Sequence, residues 1–295
     1  MRLRPVRPVL ARVACCVLVL LVSAQASAEE SRRSELAWTP AWPKFRPAEY
    51  VVTGVAGVAS IGAFFLLSPP SRPHWTGGIL FDDSARDAIR LRSPGARDRA
   101  RTWSNVTAVS ATALVLVVDS LAVPVLRHRP DVATQLVLMD AESFAISTLI
   151  TNSLFNTVGR ARPSYEDCQR NPSFDPLCRS GTTTSFPSGH TNGAFTAAGL
   201  SCAHHLHLAL YDSPLADTAA CVGEIALAGA TGTLRMAGDR HYASDVWTAA
   251  LVGFSLGYGM PTLLHYGKVG KGTELSLSVQ PVDGGLAGAA VAGTF

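Results

Sequence analysis

What the 295-residue chain lacks narrows its chemistry first. It is read as having no phosphate-binding P-loop and no Gly-x-Ser-x-Gly elbow, so P-loop nucleotide hydrolysis and serine-hydrolase chemistry are not expected. The histidine-rich tract His204-His205-x-His207 has no carboxylate or cysteine pattern to complete a metal site, so it reads as a solvated or snorkelling helix end. A formal net charge of +3 gives no basis for nucleic-acid binding. No internal repeat or low-complexity tract stands out. Strand patterning is confined to Glu274–Val279, ahead of an Asp-Gly-Gly turn, and marks a terminal hairpin or a flexible tail.

What is present points to phosphate. In Arg235–Asp245, an arginine, a histidine and an aspartate stand at spacings of six and four. If a helix runs through both, Asp245 reaches the ring of His241. A carboxylate on one ring nitrogen fixes the tautomer and leaves the other nitrogen free to attack. Arg235 then holds the anion under attack. A second motif, Pro187-Ser188-Gly189-His190, precedes a long apolar run. Pro187 breaks the upstream chain, Ser188 suits an N-cap and Gly189 allows close backbone approach. The free N–H groups of a helix start favour an anion, and His190 beside it can protonate a leaving alkoxide. The third motif, Gly159-Arg160-Ala161-Arg162-Pro163, closes another apolar run, and the planar fork of Arg162 suits phosphate oxygens.

Together these motifs resemble the type 2 phosphatidic acid phosphatase and vanadium haloperoxidase superfamily, whose pattern is Lys-x6-Arg-Pro, Pro-Ser-Gly-His and Ser-Arg-x5-His-x3-Asp. The resemblance spans roughly residues 106–262. Two positions depart from it: Leu234 replaces the serine, and Phe155 replaces the lysine. The resemblance implies that His241 is a nucleophile forming a phosphohistidine, that Asp245 orients it, and that His190 is the general acid and later the base. It also implies that Arg162, Arg235, Ser188 and the Gly189 amide bind phosphate oxygens without a metal or other cofactor. Arg160 is a candidate substitute for the missing lysine. Losing one cationic donor costs on the order of 10²–10³ in rate. The implied function is a phosphatase acting on a lipid phosphate or diphosphate, or on a small phosphomonoester. The alternatives are a vanadate-dependent haloperoxidase and a non-catalytic binder of lipid phosphates.

The organisation suits an exported protein. Arg2, Arg4, Arg7 and Arg12, an apolar core at Val13–Val22 and Ala26-Ser27-Ala28 read as a signal peptide over residues 1–28, with an uncleaved anchor as the alternative. Residues 29–105 form a polar lead-in, a first apolar helix and an arginine-rich connection with an amphipathic helix over Phe81–Leu91. Residues 106–265 form the phosphatase bundle, and 266–295 a tail. Six apolar runs predict an all-α bundle of about six long helices, with the site at one end: Tyr50–Leu67, Val106–Leu126, Thr134–Val158, His190–Leu210, Thr218–Arg235 and Ala243–His265. Their lengths suit a membrane, yet Asp119, Asp140, Glu142 and Glu224 fall within them. Trp38, Trp42 and Trp75 fit interfacial anchoring and ordinary packing equally.

Cys168 and Cys178 are disulfide candidates, which puts the site on an oxidising face and requires that Tyr50–Leu67 not fully cross. A further Cys202–Cys221 bond would favour a bundle wholly in the periplasm. The expectation is therefore an inner-membrane protein with an extracytoplasmic site, or a soluble periplasmic one.

Overall fold

A computed structural model of the chain describes residues 36–178, 182–267, 275–282 and 286–293. The expected signal over residues 1–28 lies outside them. The architecture is an all-α bundle: α1 Pro47–Leu66, α2 Asp82–Ile89, α3 Pro94–Ala113, α4 Val123–Leu126, α5 Pro130–Val158, α6 Tyr165–Arg170, α7 Gly189–His207, α8 Pro214–Ala237 and α9 Ala243–Pro261. A π-helical segment, Leu114–Ala122, joins α3 to α4, and another, Thr262–Tyr266, extends α9. Strands β1 Leu275–Val282 and β2 Leu286–Gly293 pair antiparallel as the hairpin alternative foresaw.

Helix starts follow local chemistry. Pro47, Pro94, Pro130 and Pro214 each open a helix, where a missing N–H is harmless. Ser93 and Ser213 cap α3 and α8 through their hydroxyls. Helix α3 therefore begins well before the expected Val106, and the arginine-rich stretch becomes its first turns. Arg97 and Arg101 are buried there against Asp175. Asp175 lies in the loop closed by the Cys168–Cys178 disulfide.

Helix α7 is the axis of the bundle. Thirteen of its 19 residues are buried, and α3, α5, α8 and α9 all pack on it. The α7–α9 contact is backbone on backbone. A Cβ at Gly253 would fall on the Asn192 carbonyl, and one at Gly257 on the Thr196 carbonyl. Contrary to the expected absence of Gly-x-Ser-x-Gly, the string Gly253-Phe254-Ser255-Leu256-Gly257 has those letters. It sits mid-helix and serves as a packing surface.

One core cluster joins Ala111, Val115, Ala194, Ala197, Leu200 and Ala228 around α7. A second closes the end of the bundle away from the motifs, where Leu36, Trp38 and Phe45 pack on Val132, Leu136 and Tyr266. The lead-in is thus part of the core, and Trp38 and Trp42 are packing residues in edge-to-face contact 5.4 Å apart.

The four carboxyl residues within the apolar runs, Asp119, Asp140, Glu142 and Glu224, all face inward and are buried. His204 and His205 are also buried, contrary to the solvated helix end expected. His204 bridges Asp140 and the Tyr266 hydroxyl at 2.9 Å each, and His205 meets Asp217 at 2.7 Å. The helix runs into the interior here because carboxylates from neighbouring helices satisfy the rings.

Not all six long helices have membrane-spanning character. Among the described residues, Pro47–Leu66 and Pro94–Leu126 are long and apolar enough to cross a bilayer. Helix α1 exposes Val51, Val55, Val58, Ile61, Phe64 and Phe65.

Gly257→Leu should lower the unfolding temperature markedly, because overpacking costs about 1–3 kcal/mol even where side chains can shift, and here the obstacle is backbone. Gly259→Ala, which meets nothing within 4 Å, should be neutral or stabilising. Thermal unfolding of both variants checks this; equal midpoints would refute the backbone contact.

Candidate active site

The three motifs converge at one end of the bundle. Gly159, at φ 58°, ends α5 in the left-handed region that glycine favours and turns the chain back. Residues 160–162 then run extended between two other segments: Ala161 N–H donates to Trp75 O at 2.8 Å, and Arg162 N–H to Thr182 O at 2.9 Å. This brings the arginine motif beside the start of α7, the end of α8 and the start of α9.

A cavity of about 600 Å³ opens there. Arg162, Arg235, His190, His241 and Gly189 form its polar part, while Ala108, Val109, Ala113, Phe155, Gly193 and Ala194 contribute apolar wall. Thr112 completes the lining, which holds no carboxylate.

His241 is 3% exposed and sits just before α9. Its Nδ1 lies 2.7 Å from the Ser185 carbonyl oxygen. A carbonyl can only accept, so Nδ1 carries the proton and Nε2 presents its lone pair. Arg162 Nη1 lies 3.1 Å from that Nε2. Burial, followed by the charges of Arg162 and Arg235, holds the ring well below its ordinary pKa, so it is neutral at neutral pH.

Asp245 does not touch the ring as the four-residue spacing suggested. Helix α9 starts only at Ala243, so His241 and Asp245 share no helical face. The nearest approach, Asp245 Oδ2 to His241 Nδ1, is 3.9 Å. Asp245 instead caps α9, accepting from the Tyr242 amide at 2.8 Å, and takes the Ser185 hydroxyl at 2.6 Å. Its link to His241 runs through Ser185, which holds one residue by its hydroxyl and the other by its carbonyl. Burial pushes the Asp245 carboxyl up to about 6, against the opposing influence of Arg160, Ser185 and Tyr242, so it is mostly ionised at neutral pH.

Arg160 is no substitute for the missing lysine. It is fully buried away from the cavity, ion-paired with Asp245 and with Asp82 at 2.7 Å. Its guanidinium is sandwiched between Trp75 and Tyr242, at 3.9 and 4.2 Å from the ring centroids. Ser188 is also seated off the cavity: fully buried, it is the N-cap residue of α7 and hydrogen-bonds the Thr191 hydroxyl at 2.8 Å. Gly189 does line the cavity, and the first-turn amides of α7 have no helical partner.

Positive charge gathers at this end. Arg162 Nη2 donates to Thr184 at 2.9 Å, while Arg235 donates to Ser104 at 3.3 Å and has an Nε with no partner. Burial first, then Arg240 and Arg101, lowers Arg235 to about 9. Arg240, which sequence reasoning passed over, is lowered to about 10 by burial and Arg101. His190 sits at the mouth, and its partial burial together with Arg235, Arg162 and Arg240 lowers it to about 4. Buried cations without carboxylates in the lining make a site for a polyvalent anion. Phe155 faces this cluster, where a Cβ on Gly189 would lie 3.1 Å from its ring.

Residues 137–268 match the PAP2 superfamily. No curated protein matches the chain. The PAP2 match begins within α5 and closes after Tyr266, so it includes all three motifs and leaves out α1 to α4. It implies phosphatase-type activity in general.

Replacing Arg160 with methionine should cost about 3–5 kcal/mol, because Asp82 and Asp245 would be left buried without their cation. Chemical unfolding measures this. A phosphate ligand would behave differently, raising KM with stability unchanged.

Proposed function

We propose that the protein is an exported, metal-independent phosphatase of the phosphatidic acid phosphatase type, cleaving a phosphomonoester or diphosphate of a lipid through a phosphohistidine on His241. The observation that carries this reading is the unprotonated Nε2 of a neutral His241 facing a cavity with arginines at one end and an apolar wall along the rest. That apolar wall reaches the outer face of α3, where Val109 is 68% exposed, which suits a phosphate whose alcohol is a lipid.

The chemistry follows from these positions. The Nε2 lone pair attacks phosphorus, an N–P bond forms and the P–O ester bond breaks. His190 gives its proton to the departing alkoxide. Water then attacks phosphorus, the N–P bond breaks, and His190 takes the proton of that water. Arg162, Arg235 and the Gly189 amide neutralise charge on the transferring group. Arg240 adds to the field from behind, and Asp245 acts at one remove, through Ser185.

Export and membrane association are supported by separate features. The Cys168–Cys178 and Cys202–Cys221 disulfides favour an oxidising space at both ends of the bundle. The outward apolar faces of α1 and α3 favour contact with lipid. We therefore place the protein at the membrane with its site on the extracytoplasmic side.

Purified mature protein with a chelator present should release phosphate from phosphatidic acid, lysophosphatidic acid or isoprenyl diphosphate faster than from p-nitrophenyl phosphate. His241→Ala should abolish release. Turnover that survives this substitution would end the mechanism. Binding of lipid phosphate without turnover would favour a non-catalytic binder, with Phe155→Lys the variant expected to gain activity.

The pH dependence is specific. In the free protein His190 loses its proton above about pH 4, so kcat/KM should fall as pH rises beyond that. A bound phosphate offsets the arginines and raises His190, moving the falling limb of kcat to higher pH. His190→Ala should remove both falling limbs, while effects of substrate ionisation remain common to both proteins. An unchanged profile would refute the acid assignment.

A further inference from the structure

A second cavity, of about 340 Å³, lies between the π-helical segment Leu114–Ala122, α7 and α8. Ser201 in its wall is about 18 Å along α7 from Gly189, at 1.5 Å per residue, so it is well removed from the phosphate cavity. The polar groups lining it belong to Asp119, Ser201, Tyr211 and Glu224, and the remaining wall is leucine, alanine and glycine. Ala219 and Gly223 are exposed at its mouth.

The charges around this cavity do not balance. Asp119 accepts from the Tyr211 hydroxyl at 2.5 Å and from the Ser201 hydroxyl at 3.2 Å. His205 lies between two aspartates, its Nε2 3.3 Å from Asp119 and its Nδ1 2.7 Å from Asp217. Burial opposes protonation of His205, but those aspartates outweigh it and raise the ring to about 9. Glu224 is 4% exposed, and its Oε2 has no hydrogen-bond partner. Burial, then Asp119, pushes Glu224 up to about 7. Three carboxyl groups thus meet one imidazole, and no Lys or Arg pairs with them among the described residues.

An unpaired, buried carboxyl oxygen aimed into a roomy cavity calls for a cationic partner. Among the described residues no three His, Cys, Asp or Glu side chains are grouped to hold a metal ion. The apolar wall suits a cation that carries hydrocarbon. We infer that this cavity binds a small alkylammonium ion, with its NH₃⁺ group on Glu224 and Asp119 and its alkyl part against Leu114, Ala220 and Leu227. The amine is either a free solute or the headgroup of an aminolipid. This site is independent of the phosphatase reading.

Calorimetric titration of the full mature chain with butylammonium tests it, with butanol as the uncharged isostere. Butylammonium should bind, and butanol should not. Glu224→Gln should weaken binding at least tenfold. Affinity should rise between pH 6 and pH 8, as Glu224 loses its proton in the presence of Asp119, Asp217, His205 and Tyr211, and should be flat in the variant. Gly223→Leu fills the mouth from a position where a Cβ meets nothing within 4 Å, so it should abolish binding with the fold and the phosphatase rate intact. A thermal shift in phosphatidylethanolamine vesicles over phosphatidylcholine vesicles, lost in Glu224→Gln, would assign the amine to lipid. Equal shifts alongside binding of the free amine would assign it to a solute. Equal affinity in wild type and Glu224→Gln, or no heat from either, overturns the inference.

Discussion

The site end of this bundle depends on one buried cation, Arg160, held between Asp82 and Asp245. Through Asp82 it reaches back to the segment before α3, and through Asp245 it reaches the cap of α9. Trp75 and Tyr242 close over its two faces and keep water away. Because Asp245 also holds Ser185, and Ser185 holds His241, the ring position is set by a chain of contacts that ends at a residue outside the cavity. A buried ion pair contributes little net stability, but its geometry is strict, and strict geometry is what a nucleophile needs.

That arrangement leaves the cavity with a lopsided field. The carboxylates at this end are engaged with Arg160, Arg86, Arg97 and Arg101 around its back, while Arg162 and Arg235 face inward. Positive charge is thus separated from its counterions by the protein itself. Burial first, and that field second, hold both histidines neutral.

Much of this was legible in the sequence where chemistry is local. The helical class and the inward-facing carboxylates follow from periodicity and from the cost of burying charge, and the convergence of three motifs follows from the family resemblance. Partnerships across long separations were not. Asp82 pairs with Arg160 across 78 positions, and nothing near either residue marks the other. The reading of Asp245 failed for a different reason: a four-residue spacing carries information only inside a helix, and that helix begins at Ala243, two residues past His241. Ser185 could have been suspected from its place just before Pro187. Arg240, next to His241, was visible as a charge but not as a half-buried one.

The Cys202–Cys221 bond joins α7 to α8 across the turn at 208–213. It closes that turn into a covalent ring, so the helix bearing His190 and the helix bearing Arg235 are tied twice, once by the chain and once by sulfur. A single proteolytic cut in the ring leaves both halves of the phosphate cavity on one covalent molecule. In an oxidising space the protein can therefore lose the continuity of its backbone there and keep the registry of its site, and a reductant becomes the agent that decides whether the pieces part.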